Sequence, residues 1–493
     1  MWPFGKLRAS TFGKRRPSRA GRITRFIRAR FDAAVTNSEN SRHWANADGL
    51  SADAAASANV RRILRNRSRY EVANNSYAKG IILTLANDCV GTGPRLQLLT
   101  DDAETNRMVE AAFSQWCQAT GLAAKLRTMR MAKGTDGEAF AVLTGNPRLD
   151  SQVKLDVQLV EADRVVTPLT FQGMPNEVDG IAFDPFGNPV AYNILREHPG
   201  ARVVSSPIAA YDRVPADSVI HWYRTDRPGQ HRGIPEITPA LPLFAQLRRY
   251  TLAVLGAAET AADFAAVLFT DAPASGEAAA VEPMDVVELE KRMATVLPDG
   301  WKLGQIKAEQ PGTTYAEFKR ELLNEIARCL NLPFNVAAGN SSGYNYASGR
   351  LDHQVYFKSI RIEQAHLDEA VCDRIFRAWL AEAILLNDFA FLRGTGPMPH
   401  QWFWDGQEHV DPAKEATAQE KRLSNHTTTL ADEYAKQGKD WEVQLRQRAK
   451  EKQLMEELGL SAAQAAPAAQ QAQRAPERED DTDVEDAQQR QAA

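Results

Sequence analysis

The chain has 493 residues, 43% hydrophobic and 25% charged, enough for several compact units and ordinary for a globular protein. A formal charge of −4 excludes a uniformly basic nucleic-acid binder but leaves local patches open. Cys89, Cys117, Cys329 and Cys372 lie far apart and form no CxxC pair, which argues against a disulfide scaffold or a zinc site. No run reaches the roughly 18–20 consecutive apolar residues that span a bilayer, so no membrane partner is expected.

Residues 1–44 begin MWPFGKLRASTFGKRRPSRAGRITRFIRARF, with no acid before Asp32, and read as a flexible basic arm without a signal core. Residues 60–88 form a basic helical stretch with apolar spacing at Val60, Ile63 and Leu64, stopped by Gly91 and Gly93-Pro94. One or two further helices surround Phe113, Trp116 and Leu126. From about 137 the period changes. EAFAVLTGN (138–146), VKLDVQLVE (153–161), GIAFDPFGNPVAYNIL (180–195) and SVIHWYRTD (218–226) read as strands, the third turning on itself at 184–188. The fold class is therefore α+β, with a mixed unit ending near 230.

Residues 235–271 are Ala-rich and largely helical, and 272–312 are looser and mostly acidic, with one short helix at 287–297. A helix over 314–330 carries the stripe Phe318, Leu322, Ile326 and Cys329/Leu330, and Pro333 ends it. A long helical pattern covers 350–386, and shorter helices start at Asp411-Pro412 and Asp440. The tail from 461 is too poor in large apolar groups to fold. Between two helices sits NLPFNVAAGNSSGYNYASGR (331–350), longer than the usual connection of about 4–6 residues.

Catalytic signatures are missing: no GxxxxGK[ST], and no GxSxG, HExxH or GxGxxG in a usable context. His221, on a strand beside Trp222 and Tyr223, reads as a structural imidazole, while His353 and His366 are too far apart on one helix to share a metal. Glu161 and Asp163 close a strand, where such acids cap a turn or, paired, hold a metal. No catalytic residue, cofactor or metal is expected. The rival reading is a metal-dependent nucleic-acid-processing enzyme using Glu161, Asp163 and a further carboxylate around Mg²⁺. A second is a scaffold or adaptor with no channel. The remaining features are mechanical: a helix pair with small residues on its faces packs well against copies of itself, and head-to-tail copies close into a ring.

Six stretches, in order, resemble the lambda-type group of bacteriophage portal proteins. They are RNRSRYEVANNSYAKGIILTLANDCVGTG (65–93), VEADRVVTP (160–168), GIAFDPFGNPVAYNI (180–194), HWYRTDRPGQHRGIPEITPAL (221–241), LNLPFNVAAGNSSGYNYASGR (330–350) and WDGQEHVDPAKEATAQ (404–419). The RPGQxRGxP core is the most specific of them, because no general structural reason makes it recur. The resemblance implies a dodecameric ring at one capsid vertex of the virion, made in the bacterial host cytoplasm, through which double-stranded DNA is packaged and ejected. It implies a wing over 45–234 with a long wing helix at 350–389, and a stem of 235–271 and 313–332. It further implies a clip at 272–312, a tunnel loop at 333–349, a crown at 390–460 and a disordered tail at 461–493.

The implied partners are the large terminase subunit at the clip, later head-completion or connector proteins, the major capsid and scaffold proteins, and DNA without sequence specificity. The acidic balance of 272–312 suits a basic partner surface. In the tunnel loop, Asn340, Ser341, Ser342, Tyr344 and Asn345 offer short neutral hydrogen-bonding groups to phosphates, while Gly339, Gly343 and Gly349 let the backbone shift. With no charge before Arg350, the loop favours sliding over holding. Lys319, Arg320 and Arg328 are candidates for basic rings on the channel wall.

Overall fold

The computed structural model describes residues 34–168, 176–201, 210–263, 267–270, 301–304, 314–343, 345–394, 396, 398–406 and 412–459. The arm before 34, the helix expected at 287–297, Tyr344 and the tail lie outside the described residues.

A short helix α1 (Ala52–Ala55) precedes two longer ones. The single helical stretch expected at 60–88 is in fact α2 (Ala58–Asn74) and α3 (Ser76–Val90). Asn75 breaks them: it is extended (φ −115°, ψ 117°), and its side chain accepts the Tyr77 and Ala78 N–H groups that α3 leaves unpaired. The α2 helix is inverted relative to its apolar spacing. Val60 and Ile63 are 40% and 46% exposed, whereas Arg61 and Arg65 are buried.

The cause is a carboxylate at the start of the central sheet. After β1 (Arg95–Leu98), α4 (Ala103–Thr120) and α5 (Leu122–Asp136), Gly137 turns the chain with φ 92°, and Glu138 opens β2 (Glu138–Gly145). Glu138 is enclosed and accepts from Arg65 Nη1 at 3.1 Å, Arg232 Nη2 at 2.7 Å, His221 Nε2 at 3.1 Å and the Gly233 N–H at 3.1 Å. Burial alone would raise its carboxyl, but Arg232 and His221 outweigh burial and hold it well below the usual range. One turn along α2 on either side, Arg61 pairs with Asp179, and Arg69 with Asp136 at 2.7 Å and Asp163 at 2.6 Å. Arginines four residues apart thus form the core-facing stripe that apolar residues usually supply.

The β2 strand pairs with β3 (Leu155–Val160) and β8 (Val219–Tyr223) in an antiparallel sheet of order β3-β2-β8. A second sheet runs β4 (Glu177–Val178), β5 (Ile181–Phe183), β6 (Pro189–Leu195) and β7 (Tyr211–Pro215). The hairpin expected over 180–195 is β5–β6; the Asp184 carboxylate accepts the Phe186 and Asn188 N–H groups in its turn. Phe140, Val165, Ile194 and Val219 fill the space between the sheets.

RPGQHRGIP does have a structural reason. Gln230 is buried and closes the turn on itself, accepting the Asp226 N–H at 2.9 Å and donating to the Arg232 carbonyl at 2.8 Å. Gly233 crosses Gly137 backbone to backbone, so that a Cβ on either would collide with the other segment. Glu236 then enters a second buried cluster, accepting from Arg130 at 2.9 Å, while Lys133 pairs with Glu363 and lies 4.6 Å over the Trp222 ring.

From this anchor the chain passes through a 3₁₀ turn at Thr238–Ala240, which holds Pro239, into α6 (Leu241–Asp263), whose first turn holds Pro242. The helix expected to run to 271 stops earlier. Val267–Thr270 is a strand, β9, antiparallel to β10 (Trp301–Gly304), in keeping with the strand preference of Val, Phe and Thr. In α7 (Thr314–Arg328) the buried positions are Leu323, Ile326 and Ala327. Phe318, expected in the stripe, is 54% exposed and sits edge-on to Tyr250 of α6 at 5.1 Å. The next helices are α8 (Phe334–Ala338), α9 (Tyr346–Leu367), a π turn at Asp368–Cys372 and α10 (Asp373–Ala383). Helices α3, α6, α7 and α9 share one core around Ile81, Phe244, Ile326 and Tyr356; α4, α5 and α10 share another with Trp116, Trp222 and Trp379.

The last part hangs on a two-stranded link. Strand β11 (His400–Phe403) pairs with β1, and α11 (Pro412–Ser424), α12 (Leu430–Lys436) and α13 (Trp441–Glu457) follow. Within WDG, Trp404 donates to Asp368 at 3.1 Å, and Asp405 accepts from the Thr92 N–H at 2.6 Å and Arg95 at 2.9 Å. Gly406 lies so close to the Gln437 backbone that a side chain would not fit. Beside this link Glu110 accepts the Leu98 N–H at 2.6 Å. Burial pushes its carboxyl up to about 7, and neighbouring Asp440 and Glu442 add to the rise.

Glu138→Gln leaves Arg65 and Arg232 facing a neutral group. It is expected to cost about 3–5 kcal/mol in denaturant unfolding, with part recovered when Arg232→Met is added; a loss below about 1 kcal/mol would show that the cluster is not a structural lock. Glu110 carries the opposite sign. Its raised native value means that stability it contributes at acid pH is lost as the pH climbs through about 7. Glu110→Gln is therefore expected to raise the melting temperature at pH 8 and to leave it nearly unchanged at pH 5, as checked by melting curves at both.

Candidate functional site

The expected tunnel loop of 333–349 is mostly helical at its edges. Pro333 precedes α8, and Gly339 ends it in the left-handed region at φ 63°. Asn345 starts α9, its side chain accepting the Ser348 N–H at 2.8 Å. Gly349, expected to let the loop shift, lies inside α9, with its N–H on the Asn345 carbonyl at 3.0 Å. The open segment is therefore 339–345.

That segment is exposed at Gly339, Asn340, Ser341, Ser342, Gly343 and Asn345; Tyr344 lies outside the described residues. Two of its asparagines shape the backbone. Asn340 Oδ1 accepts the Ser342 N–H at 2.9 Å, and Asn345 caps α9, while Ser341 and Ser342 are exposed between them. Gly343 has φ 88°, and a Cβ at Gly339 or Gly343 would meet nothing within 4 Å. Glycine is needed at both for backbone conformation alone.

The rim is firmer. Ala337 and Leu332 are buried against α3, α7 and α9, and the Leu332 N–H reaches the Ala327 carbonyl at 3.0 Å. Asn335, unremarked in the sequence, links the two sides: its amide nitrogen is 3.0 Å from His353 Nε2 on α9 and 3.5 Å from Ser341 Oγ. An asparagine inside a one-turn helix carries no sequence signal for such a role.

The three candidate wall cations do not share a face. At roughly 100° per residue, Lys319 and Arg328 sit on opposite sides of α7. Lys319 is half-buried, 5.2 Å over the Tyr77 ring, on the side that buries Ile326. Arg320 stacks 5.4 Å over Phe334, and Arg328 donates to Asn331 at 3.0 Å. Sequence reasoning missed Lys358 and Arg361, which with Arg350 are exposed within about 80° of one another on α9 as it leaves the loop.

The paired-acid candidate is engaged by cations. Asp163 forms ion pairs with Arg65 at 3.2 Å and Arg69 at 2.6 Å, and although burial opposes it, these arginines lower its carboxyl. Glu161 is turned to solvent, 3.0 Å from His198. Among the described residues no group of three or more His, Cys, Asp or Glu side chains is placed to hold a metal.

A probable portal protein of Halomonas phage phiHAP-1 is 25% identical over 412 residues, which cover 76% of this chain and 77% of that protein. The neck of a native gene transfer agent particle, computed with C12 symmetry, is similar at TM-score 0.45 and 13% identity, over 77% of this chain and 94% of that one. An HK97-family phage portal protein from Corynebacterium diphtheriae is similar at TM-score 0.29 and 12% identity, over 71% and 96%. The model of the lambda family of phage portal proteins matches residues 38–364, more than half of the chain, and the protein belongs to that family.

Proposed function

We propose that twelve copies form a ring at one capsid vertex and that residues 339–345 from each copy line the narrowest part of a channel for double-stranded DNA. The observation that carries this reading is the contrast at 331–350. An exposed, uncharged, glycine-punctuated segment is held between capped helices that are themselves set in a core. Small hydroxyls on such a segment touch phosphates without reading bases. Without cations they add little counterion-release affinity, so the duplex is guided and not gripped.

In this arrangement α6 and α7 form the stem. They pack together through Tyr250, Tyr315 and Phe318, and the small residues of α6 admit a neighbouring copy. The β9–β10 pair is the base of the clip, the docking point for the large terminase subunit and later for head-completion or connector proteins. The sheets and α9–α10 form the wing against the major capsid and scaffold proteins, and α11–α13 the crown. The chain itself hydrolyses nothing in this reading, since translocation draws on the terminase motor. The particle is the virion, assembled in the host cytoplasm.

Light scattering after size exclusion, with negative-stain images of the same peak, is expected to show a ring of about twelve chains with a hole wide enough for duplex DNA. Persistence of monomers at high protein concentration, together with Mg²⁺-dependent DNA cleavage abolished by Asp163→Asn, would overturn the reading in favour of an enzyme.

Ser341→Lys with Ser342→Lys adds two cations per copy to the segment. Rings should form as before, while DNA retention rises, becomes more salt-sensitive and slows packaging several-fold. Packaging at the wild-type rate would remove this segment from the channel. By contrast, Gly343→Ala meets no obstacle and is expected to cost only about 1–3 kcal/mol of backbone strain, read in the same rings by their melting temperature.

A further inference from the structure

Helix α9 is apolar on two sides. Tyr356, Ile360 and Leu367 are buried in the core, while Leu351, Val355 and Ile362 are 64%, 58% and 63% exposed. At roughly 100° per residue these last three fall within about 40° of one another, and Lys358, Arg361 and Arg350 occupy roughly the adjoining 100°. None of the three cations forms an ion pair among the described residues. A helix that is apolar all round is one that is covered on both sides. Phosphates are met by cations and polar groups, so large apolar side chains beside the cations mark a protein surface as the partner.

Helix α7 carries the complement. Glu317, Glu321 and Glu325 are exposed on successive turns, with the exposed Phe318 at their edge. Like charges four residues apart on a helix repel, and none of these acids has a cation among the described residues. Arg328, in line with them, donates to Asn331 instead. Other charged helix faces fit less well. On α2 the exposed Arg62 and Arg67 stand about 140° apart, and α13 mixes its acids with Arg446, Arg448, Lys450 and Lys452.

The two faces also match in spacing and order. Arg350 to Lys358 and Glu317 to Glu325 are equal steps, each about 12 Å along the helix axis. On both helices the apolar edge follows the charges in the same rotational sense, so like meets like only when the helices run antiparallel. Arg350 then faces Glu325, and Lys358 faces Glu317. This brings the start of α9 beside the end of α7, the two helix ends nearest the 339–345 segment. One copy does not make this contact with itself, since α9 packs on α3, and α7 on α6 and α8.

We infer that α9 of one copy packs antiparallel on α7 of the next, with Arg350 and Lys358 on Glu325 and Glu317, and Phe318 between Val355 and Ile362. The pairing rests on the ring proposed above, because only head-to-tail copies use both faces at every contact. It is tested by mixing isotope-labelled and unlabelled full-length protein before assembly and treating the assembled particles with a water-soluble carbodiimide, which joins a lysine to a touching carboxylate. Peptide mapping is expected to give mixed-isotope cross-links from Lys358 to Glu317 or Glu321.

Glu317→Lys with Glu321→Lys is expected to raise the concentration needed for assembly at least tenfold, as is Lys358→Glu with Arg361→Glu. All four side chains are exposed, so the single copy keeps its fold. The four changes together restore opposite charges and are expected to bring assembly back to within about threefold of wild type. Rings that form normally with either pair reversed, or that link Lys358 only to 272–312, would overturn the pairing and leave the ring standing. So would loss of DNA retention without loss of assembly in the α9 variant. A wild-type chain that stays monomeric at high concentration would overturn both.

Discussion

A carboxylate sealed from water is tolerable only when its hydrogen-bonding and charge are met in full, and Glu138 sets that condition for everything around it. Its donors come from a helix, a neighbouring strand and the 227–235 turn: Arg65, His221, Arg232 and the Gly233 N–H. Each must arrive at a set distance and direction. Burial of apolar surface is non-directional and would allow α2 to slide or roll. A row of guanidinium groups facing Asp179, Glu138, Asp163 and Asp136 does not, since a shift of one residue would leave a buried charge unpaired. The register of α2 on the sheet is thus set by electrostatics.

The same cluster explains what the sequence disclosed and what it hid. Strand alternation and turn chemistry act between neighbours, so the β5–β6 hairpin and the strands β2, β3 and β8 were legible, to within a few residues at their ends, while β1, β4, β7 and β11 were not. The face that α2 buries was not. Periodicity gives spacing, and Val60, Ile63 and Leu64 read as an inward stripe, whereas Val60 and Ile63 are exposed, Arg61 and Arg65 are buried, and Leu64 alone of the three packs partly against the core. The information needed is the presence of acids far along the chain, Asp136, Glu138 and Asp179. RPGQHRGIP was opaque for the same reason: its meaning lies in Glu138 and Gly137, which are distant in the chain and adjacent in space. The strand at 267–270 was missed because the preceding Ala-rich run is so strongly helical and its partner at 301–304 lies beyond a long insertion.

Of the candidate site, the openness of the loop and its neutrality were legible, since Gly and Ser at that density exclude a packed segment. Its true limits were not. Asn340 and Asn345 looked like groups offered to a ligand, yet their side-chain oxygens complete a turn and a helix cap. Short polar side chains compete for nearby backbone N–H groups, and in a loop between helices that local partner is always within reach.

The stretches that carry the family resemblance therefore divide by physical role. The arginine helix with the 227–235 turn, and WDG with Thr92 and Arg95, are joints in which hydrogen bonds and glycine crossings leave little freedom. The 331–350 stretch is the opposite: its centre is free of packing and its ends are capped. A channel that passes a duplex needs both. Contact energy must vary little as successive phosphates go by, which demands a segment that yields, yet the spacing between segments must not drift under load, which demands a frame that does not. In the proposed channel, buried charged clusters such as those around Glu138 and Glu236 meet the second requirement, while the 339–345 segment itself carries no charge. The buried cations Arg65 of α2 and Arg130 and Lys133 of α5 are consumed internally, by Glu138, Asp163, Glu236 and Glu363, and are not available to hold DNA.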